Sequence, residues 1–213
     1  VVIKNAIEKI NFEEKPKDKI NLIYHTTPWR GLKFLLEVFK NLNRPDVELN
    51  ICSSIKIYGK KFDDAFSKKY EKIFEECKNT KNANYLGFVE NSNIIKLLKK
   101  THIFSFPSVW PETSCISAIE SMAAGCEVVS TNLGAIYETC APFAKLIGFN
   151  RNFDKMQNKF EGALLSSIDN FWSSENQKKM KLQRETINLL YSWERRSIEW
   201  KNFFDEARDF TKR

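Results

Sequence analysis

Short apolar runs alternate with amphipathic segments along most of the chain. The apolar runs predict six strands, at 20–26, 47–53, 84–89, 102–108, 127–131 and 145–149. The segments between them repeat with the period of a helix, at 31–43, 62–79, 92–101, 114–125 and 136–141. From about residue 153 the pattern is helical throughout, and we expect Trp172, Trp193 and Trp200 to pack there as apolar anchors.

Strands that alternate with helices predict βαβ crossovers, which place helices on both faces of a parallel sheet. We therefore expect an α/β fold with a doubly wound, six-stranded, Rossmann-like parallel sheet in the order 3-2-1-4-5-6 and a helical C-terminal tail. The predicted organisation is a linker-like segment at 1–19, a sheet domain at 20–152, and C-terminal helices at 153–213 that pack on the same domain. A chain of 213 residues that is 42% hydrophobic favours one sizeable core over two small ones.

The longest apolar runs are a few residues, far below the roughly 20 that span a bilayer, so we expect a soluble protein. The cysteines are odd in number and have no Cys-x-x-Cys pair or Cys/His ligand spacing: Cys52, Cys77, Cys115, Cys126 and Cys140. This usage is typical of free thiols in a reducing compartment, and it predicts a cytoplasmic protein without a metal site.

The formal net charge of +7 raises the question of an anionic partner. The segment 111–170, however, has four basic and seven acidic residues, and elsewhere lysines mostly alternate with acids at helical spacing. Aromatic residues are not interleaved with basic ones, so no nucleic-acid partner is expected. A domain that binds an anionic nucleic acid or membrane stays open as an alternative function, and so does peripheral association with a membrane.

A doubly wound sheet binds ligands outside the carboxyl ends of its strands. The corresponding loops here are "HTTPWRG" after the first strand, "GFVENS" after the third, "PSVWPETS" after the fourth and "TNLGAIYE" after the fifth. None contains Gly-x-Gly-x-x-Gly or a P-loop. A helix that begins at 114–116 would still offer free backbone N–H groups and a positive dipole end to a phosphate.

Several segments carry a resemblance to a known family: "TPWRGLKFLLEVF" (27–39), "LGFVENSNIIKLLKKTHIFSFPSVWPETSCISAIESMAAGCEVVSTNLGAIYE" (86–138) and "YSWERR" (191–196). They resemble the C-terminal domain of the family 4, group 1 retaining glycosyltransferases, which have the GT-B fold. The most specific element is Glu112, followed by seven residues, Glu120 and Ser-Met-Ala-Ala-Gly, which matches the family's two-glutamate motif.

In that family this domain binds the nucleotide-sugar donor. The resemblance implies that Glu120 takes the ribose hydroxyls and that Glu112 contacts the donor sugar. Arg30, which precedes Gly31, matches the lysine that neutralises the diphosphate. Glu112 and Arg30 are therefore the candidate catalytic residues.

The remaining candidates also come from the resemblance. The backbone N–H groups of Ser114, Cys115 and Ile116 match those that bind the diphosphate, and Phe88 and Val89 match the positions against which the base packs. The chain departs from the family pattern at three places: His25-Thr26 replaces Gly-Arg, Ser114-Cys115 replaces Phe-Gly, and Glu127 replaces a proline. We include Thr26 among the donor-binding residues and expect Arg30 and the helix terminus to bind the diphosphate.

The resemblance implies transfer of a sugar from a nucleoside-diphosphate sugar to an acceptor hydroxyl, with no cofactor or metal ion required. The chain has no Asp-x-Asp motif. The family's N-terminal acceptor-binding domain is not in this sequence, so we expect donor binding without useful turnover. A non-catalytic nucleotide-sugar-binding or regulatory module would have the same residues and stays open as an alternative function.

Overall fold

Six parallel strands form the centre of the fold. The computed structural model describes residues 2–210. Within them the strands are β1 (Ile20–Tyr24), β2 (Val47–Ile51), β3 (Ala83–Tyr85), β4 (Ile103–Phe106), β5 (Glu127–Asn132) and β6 (Lys145–Gly148). They lie in the order β3-β2-β1-β4-β5-β6, and each neighbouring pair is parallel. The predicted doubly wound sheet and its strand order are confirmed.

Helices connect the strands and follow the last of them. In the described residues they are α1 (Leu32–Leu42), α2 (Lys60–Asn79), α3 (Asn91–Lys100), α4 (Ile116–Ala123), α5 (Ile136–Cys140), α6 (Phe153–Asn170), α7 (Ser174–Leu190) and α8 (Trp193–Phe210). Two short 3-10 helices lie at Pro28–Arg30 and Lys56–Tyr58. None of the helices in residues 2–210 combines the length and the apolarity that a membrane crossing needs.

Two boundaries differ from the predicted ones in a way that affects the cleft described below. The third strand, predicted at 84–89, ends at Tyr85, so Phe88 and Val89 lie in the following loop. The fourth helix, predicted from residue 114, begins at Ile116, because Cys115 has a φ of 68° and cannot continue a right-handed helix. Ser114 and Cys115 therefore precede the helix.

The core follows the apolar pattern of the sequence. The apolar residues that recur with helical spacing on α1 are all buried, at Leu32, Leu35, Leu36, Phe39 and Leu42. The four residues of β4 are buried as well, as expected for a central strand of a parallel sheet that is covered on both faces. The helix α2 is different, since Cys77 is its one buried residue and most of its length faces solvent.

Residues before the sheet and after it hold the helices in place. The ammonium group of Lys15 is buried and donates to the carbonyl oxygens of Leu98 and Ala124, both at 3.2 Å, and to that of Thr101. It thereby joins the C-terminal ends of α3 and α4. The buried amide of Gln183 on α7 donates to the carbonyl oxygen of Met122 at 3.0 Å.

The tail tryptophans are more exposed than predicted, although the ring of Trp172 packs against the rings of His102 and Phe171. Trp172, Trp193 and Trp200 keep 40%, 51% and 41% of their surface exposed. The tail is anchored instead by smaller buried side chains that include Met156, Phe160, Leu164, Ile168, Met180 and Ile187. A helical pattern indicates which positions share a face, but it does not say which face finds a partner.

The turn before α1 requires glycine at position 31, so a side chain there should destabilise the fold. The φ of Gly31 is +121°, and a Cβ there would lie 2.2 Å from the carbonyl oxygen of Pro107. We expect Gly31→Ala to lower the free energy of unfolding by about 2–4 kcal/mol, because it adds backbone strain and a clash with main chain. Urea denaturation followed by circular dichroism measures the change.

Gly162 provides the matched control. It lies inside α6, and a Cβ there would meet nothing within 4 Å. Gly162→Ala should raise the stability by about 0.5–1 kcal/mol, since alanine loses less conformational entropy in a helix. Equal effects of the two substitutions would contradict the turn geometry.

Candidate functional site

A cleft of about 580 Å³ opens at the carboxyl edge of the sheet. It is bounded by the residues that follow β1, β2, β3 and β4. All of the candidates from the sequence line it: Thr26, Arg30, Phe88, Val89, Glu112, Ser114, Cys115, Ile116 and Glu120. The structure therefore brings these residues together, although they are spread over almost a hundred positions of the chain.

Arg30 and Glu112 form an ion pair across the cleft. Arg30 ends the 3-10 helix after β1, and its Nη1 lies 2.5 Å from Oε2 of Glu112 in the loop after β4. The side chain of Glu112 is 3% exposed and that of Arg30 is 28% exposed. Burial raises the pKa of Glu112, and the guanidinium of Arg30 opposes this by favouring the carboxylate.

The backbone of Glu112 is fixed by the loop after β5. The N–H of Ala135 donates to the carbonyl oxygen of Glu112 at 2.7 Å, and Glu112 forms a parallel bridge with Gly134. A Cβ on Gly134 would lie 2.3 Å from the same oxygen, and its φ is +68°, so this contact needs glycine. The loop after β5, which was predicted to contribute to the site, thus holds the backbone of Glu112 in place but does not line the cleft.

The turn before α4 presents unpaired backbone donors to the cleft. Cys115 is buried and has a φ of 68°, in the left-handed region that glycine adopts most easily. The first helical hydrogen bonds are donated by Ala118 and Ile119 to its carbonyl oxygen. In residues 2–210 no protein acceptor binds the N–H groups of residues 114–117, as is usual for the first turn of a helix.

Glu120 lies farther along α4, on the side that faces α3. Its side chain is largely buried, the residue being 9% exposed, and its Oε1 accepts from Nδ2 of Asn91 at 2.9 Å. Burial raises the pKa of the Glu120 carboxyl, and the hydrogen bond from Asn91 lowers it in part.

His25, which directly follows β1, packs into the wall of the cleft. Its Nε2 lies 2.9 Å from Oγ of Ser121, and its ring centroid lies 4.8 Å from that of Phe104. The Ser121 hydroxyl donates to the carbonyl oxygen of Ser117 at 2.7 Å, so the imidazole N–H donates to Ser121. Burial lowers the pKa of His25 to about 3, which keeps the ring neutral.

Several polar atoms of the cleft are buried without a protein partner. In the described residues these include Oγ1 of Thr26, Oγ1 of Thr27, Nε of Arg30 and Oε1 of Glu112. An unpaired buried donor or acceptor costs about 1–3 kcal/mol, so these atoms lower the stability of the protein around the cleft.

Residues after β2 also line the cleft, although the sequence did not identify them as candidates: Cys52, Ser54, Ile57 and Tyr58. Their position directly after a strand was an available signal. The segment contains neither a conspicuous charge nor a known motif, so nothing else distinguished it. Asn91 was missed too, since an asparagine at the start of a helix is an ordinary residue.

A comparison with protein families identifies the domain that contains this cleft. Residues 3–182 match the family model described as glycosyl transferases group 1. The chain belongs to this glycosyltransferase family. A search of curated protein sequences gives no match.

Solved structures show the same fold as this glycosyltransferase domain. A sucrose-phosphate synthase from Thermosynechococcus elongatus superposes with a TM-score of 0.75 at 15% identity, over 97% of this chain and 52% of that one. A glycosyltransferase from Rickettsia africae gives 0.70 at 18% identity, over 90% and 48%. An Anabaena protein, HepE, in complex with UDP and glucose, gives 0.64 at 12% identity, over 89% and 49%. The chain thus spans about half the length of these GT-B structures.

The buried carboxylate of Glu120 generates a prediction about stability. Because its pKa is raised above the ordinary value of 4.5, the folded protein binds the proton more tightly than the unfolded chain does. The free energy of unfolding therefore falls as the pH rises from about 4.5 through the raised pKa. We expect Glu120→Gln to be more stable than the wild type at pH 7 by about 0.5–2 kcal/mol, with little difference at pH 4.

Urea denaturation at both pH values tests this, and Glu37→Gln on the exposed face of α1 is the control, with a change of a few tenths of a kcal/mol. A Glu120→Gln variant less stable than the wild type at pH 7 would show that the carboxylate is stabilised in the empty cleft.

Proposed function

We propose that this chain is the donor-binding domain of a retaining glycosyltransferase, which transfers a sugar from a nucleoside-diphosphate sugar to an acceptor hydroxyl without a required metal ion. The observation that carries the proposal is the convergence on one cleft of a cation, unpaired backbone donors and two buried carboxylates. These are Arg30, the N–H groups of residues 114–117, Glu112 and Glu120.

The proposed diphosphate site combines Arg30 with the terminus of α4. A guanidinium forms bidentate hydrogen bonds with phosphate oxygens, and the free N–H groups at a helix start bind anions along the helix dipole. In the empty cleft Arg30 is paired with Glu112, so the incoming diphosphate competes for a cation that the fold already holds at the correct place.

The nucleoside and the sugar lie on opposite sides of this diphosphate in the proposal. Glu120 accepts from the ribose hydroxyls, and the base lies against Phe88 and Val89 at the edge of the cleft. The carboxylate of Glu112, which lines the same cleft, accepts from a hydroxyl of the donor sugar. The UDP and glucose bound to the Anabaena relative belong to the same class of ligand.

The proposed chemistry places developing negative charge on the departing diphosphate. Arg30 and the amides of 114–117 are fixed before the reaction, so they stabilise that charge without reorganisation. The acceptor must be held in register by another domain, which fits the half-length coverage of the solved structures.

Binding to a nucleoside diphosphate and to the bare nucleoside separates the proposed roles. A thermal-shift screen of UDP, GDP and ADP first identifies the base. Arg30→Ala should then weaken the diphosphate by roughly ten- to a hundredfold and leave the nucleoside nearly unaffected, whereas Glu120→Ala should weaken both. Isothermal titration calorimetry measures the dissociation constants.

Arg30→Ala also leaves Glu112 without its cation, so the double variant Arg30→Ala/Glu112→Gln is the matched control. If the loss of diphosphate affinity comes from the missing cation, it persists in the double variant. If the folded Arg30→Ala and Glu120→Ala variants bind the nucleoside diphosphate with wild-type affinity, neither residue binds the donor and the proposal is wrong.

A further inference from the structure

Asn91 hydrogen-bonds to Glu120 in the cleft, a contact that the capping of α3 does not require. It is the first residue of α3, where Glu90 is the N-cap and makes no side-chain capping bond. The amide of Asn91 does not cap the helix either. It reaches across to α4 and donates to Oε1 of Glu120, and both residues line the cleft.

The two oxygens of Glu120 have different surroundings. Oε1 accepts from Asn91 at 2.9 Å, whereas no protein donor in residues 2–210 binds Oε2. Oε2 is also absent from the buried polar atoms that lack a partner, so it is open to the cleft. The hydrogen bond therefore fixes the plane of the carboxylate and leaves one oxygen facing the space where a ligand would bind.

We propose that Asn91 is a positioning residue of the donor site, which orients the Glu120 carboxylate toward the ribose diol. The inference rests on the proposed function, in which Glu120 binds that diol. A carboxylate in a largely buried position tends to protonate, and a neutral carboxyl is a poorer acceptor. The hydrogen bond from the Asn91 amide opposes this by favouring the ionised form.

No other group provides this effect. Besides Glu120, the titratable residues that line the cleft are Glu90 before α3, the neutral His25 after β1, the Arg30–Glu112 pair, and Cys52, Tyr58 and Cys115. Within the described residues, none of them contributes to the pKa of Glu120, which depends on burial and on Asn91. Asn91 is thus the side chain that hydrogen-bonds Glu120 and that favours its ionised form.

The experiment compares a nucleoside diphosphate with its 2′,3′-dideoxy counterpart, using whichever of UDP, GDP or ADP the screen identifies. The ratio of their dissociation constants at each pH reports the contribution of the diol, because titration of the phosphate cancels. Calorimetry from pH 5 to 8 measures this ratio for the wild type, Asn91→Ala, Asn91→Asp and the control Asn93→Ala. Asn93 lies on the same helix and does not line the cleft.

We expect Asn91→Ala to reduce the diol contribution roughly tenfold and to shift its loss at acid pH to a higher pH, since Glu120 then protonates more easily. Asn91→Asp should show the opposite dependence. Two ionised carboxylates repel each other at high pH, whereas at lower pH the protonated carboxyl introduced on α3 can donate to Glu120 and restore binding. Asn93→Ala should match the wild type.

Two results would overturn the inference. If Asn91→Ala weakens both ligands equally, or leaves the pH dependence of the ratio unchanged, Asn91 acts only on the structure of the helix. If the wild type itself binds both ligands equally, Glu120 does not bind the diol, and the proposed function fails together with the inference. Thermal melting confirms that each variant is folded.

Discussion

The parallel pairing of β1 with β4 is the constraint on which the site depends. Strand order reverses at this pair, because β2 and β3 continue on one side of β1 while β5 and β6 continue on the other side of β4. The loops after β1 and β4 must then diverge, and a crevice opens between them. This is why Arg30 and Glu112, 82 residues apart in the sequence, form an ion pair, and why the terminus of α4 points into the same space.

Several features of the cleft lower the stability of the folded protein. Two carboxylates are buried there, Cys115 occupies a left-handed conformation, and polar atoms of Thr26 and Thr27 lack partners. Each of these features is unfavourable in the empty protein. The surrounding contacts offset them: Gly134 supports the backbone of Glu112, and Lys15 joins the helix ends behind the cleft.

The sequence predicted the fold and the main members of the site for different reasons. Strand order followed from the alternation of strands with helices, since parallel connections allow few topologies. Glu112 and Glu120 were found through the spacing of a family motif and lie in one cleft, and their roles stay predictions. Asn91 and the residues after β2 were not found, because their involvement depends on contacts between elements distant in sequence. The exposed Trp172, Trp193 and Trp200 show the same limit, since burial depends on a partner surface that a periodic pattern does not describe.

The central claim is that the terminus of α4 and Arg30 together form a diphosphate site. Chemical shifts of backbone amides, followed by nuclear magnetic resonance during titration with UDP, GDP or ADP, test it most directly. We expect the amides of residues 114–117 to shift strongly with the bound nucleoside diphosphate and weakly with the matching nucleoside. Binding of the diphosphate with no change at these four amides would contradict it.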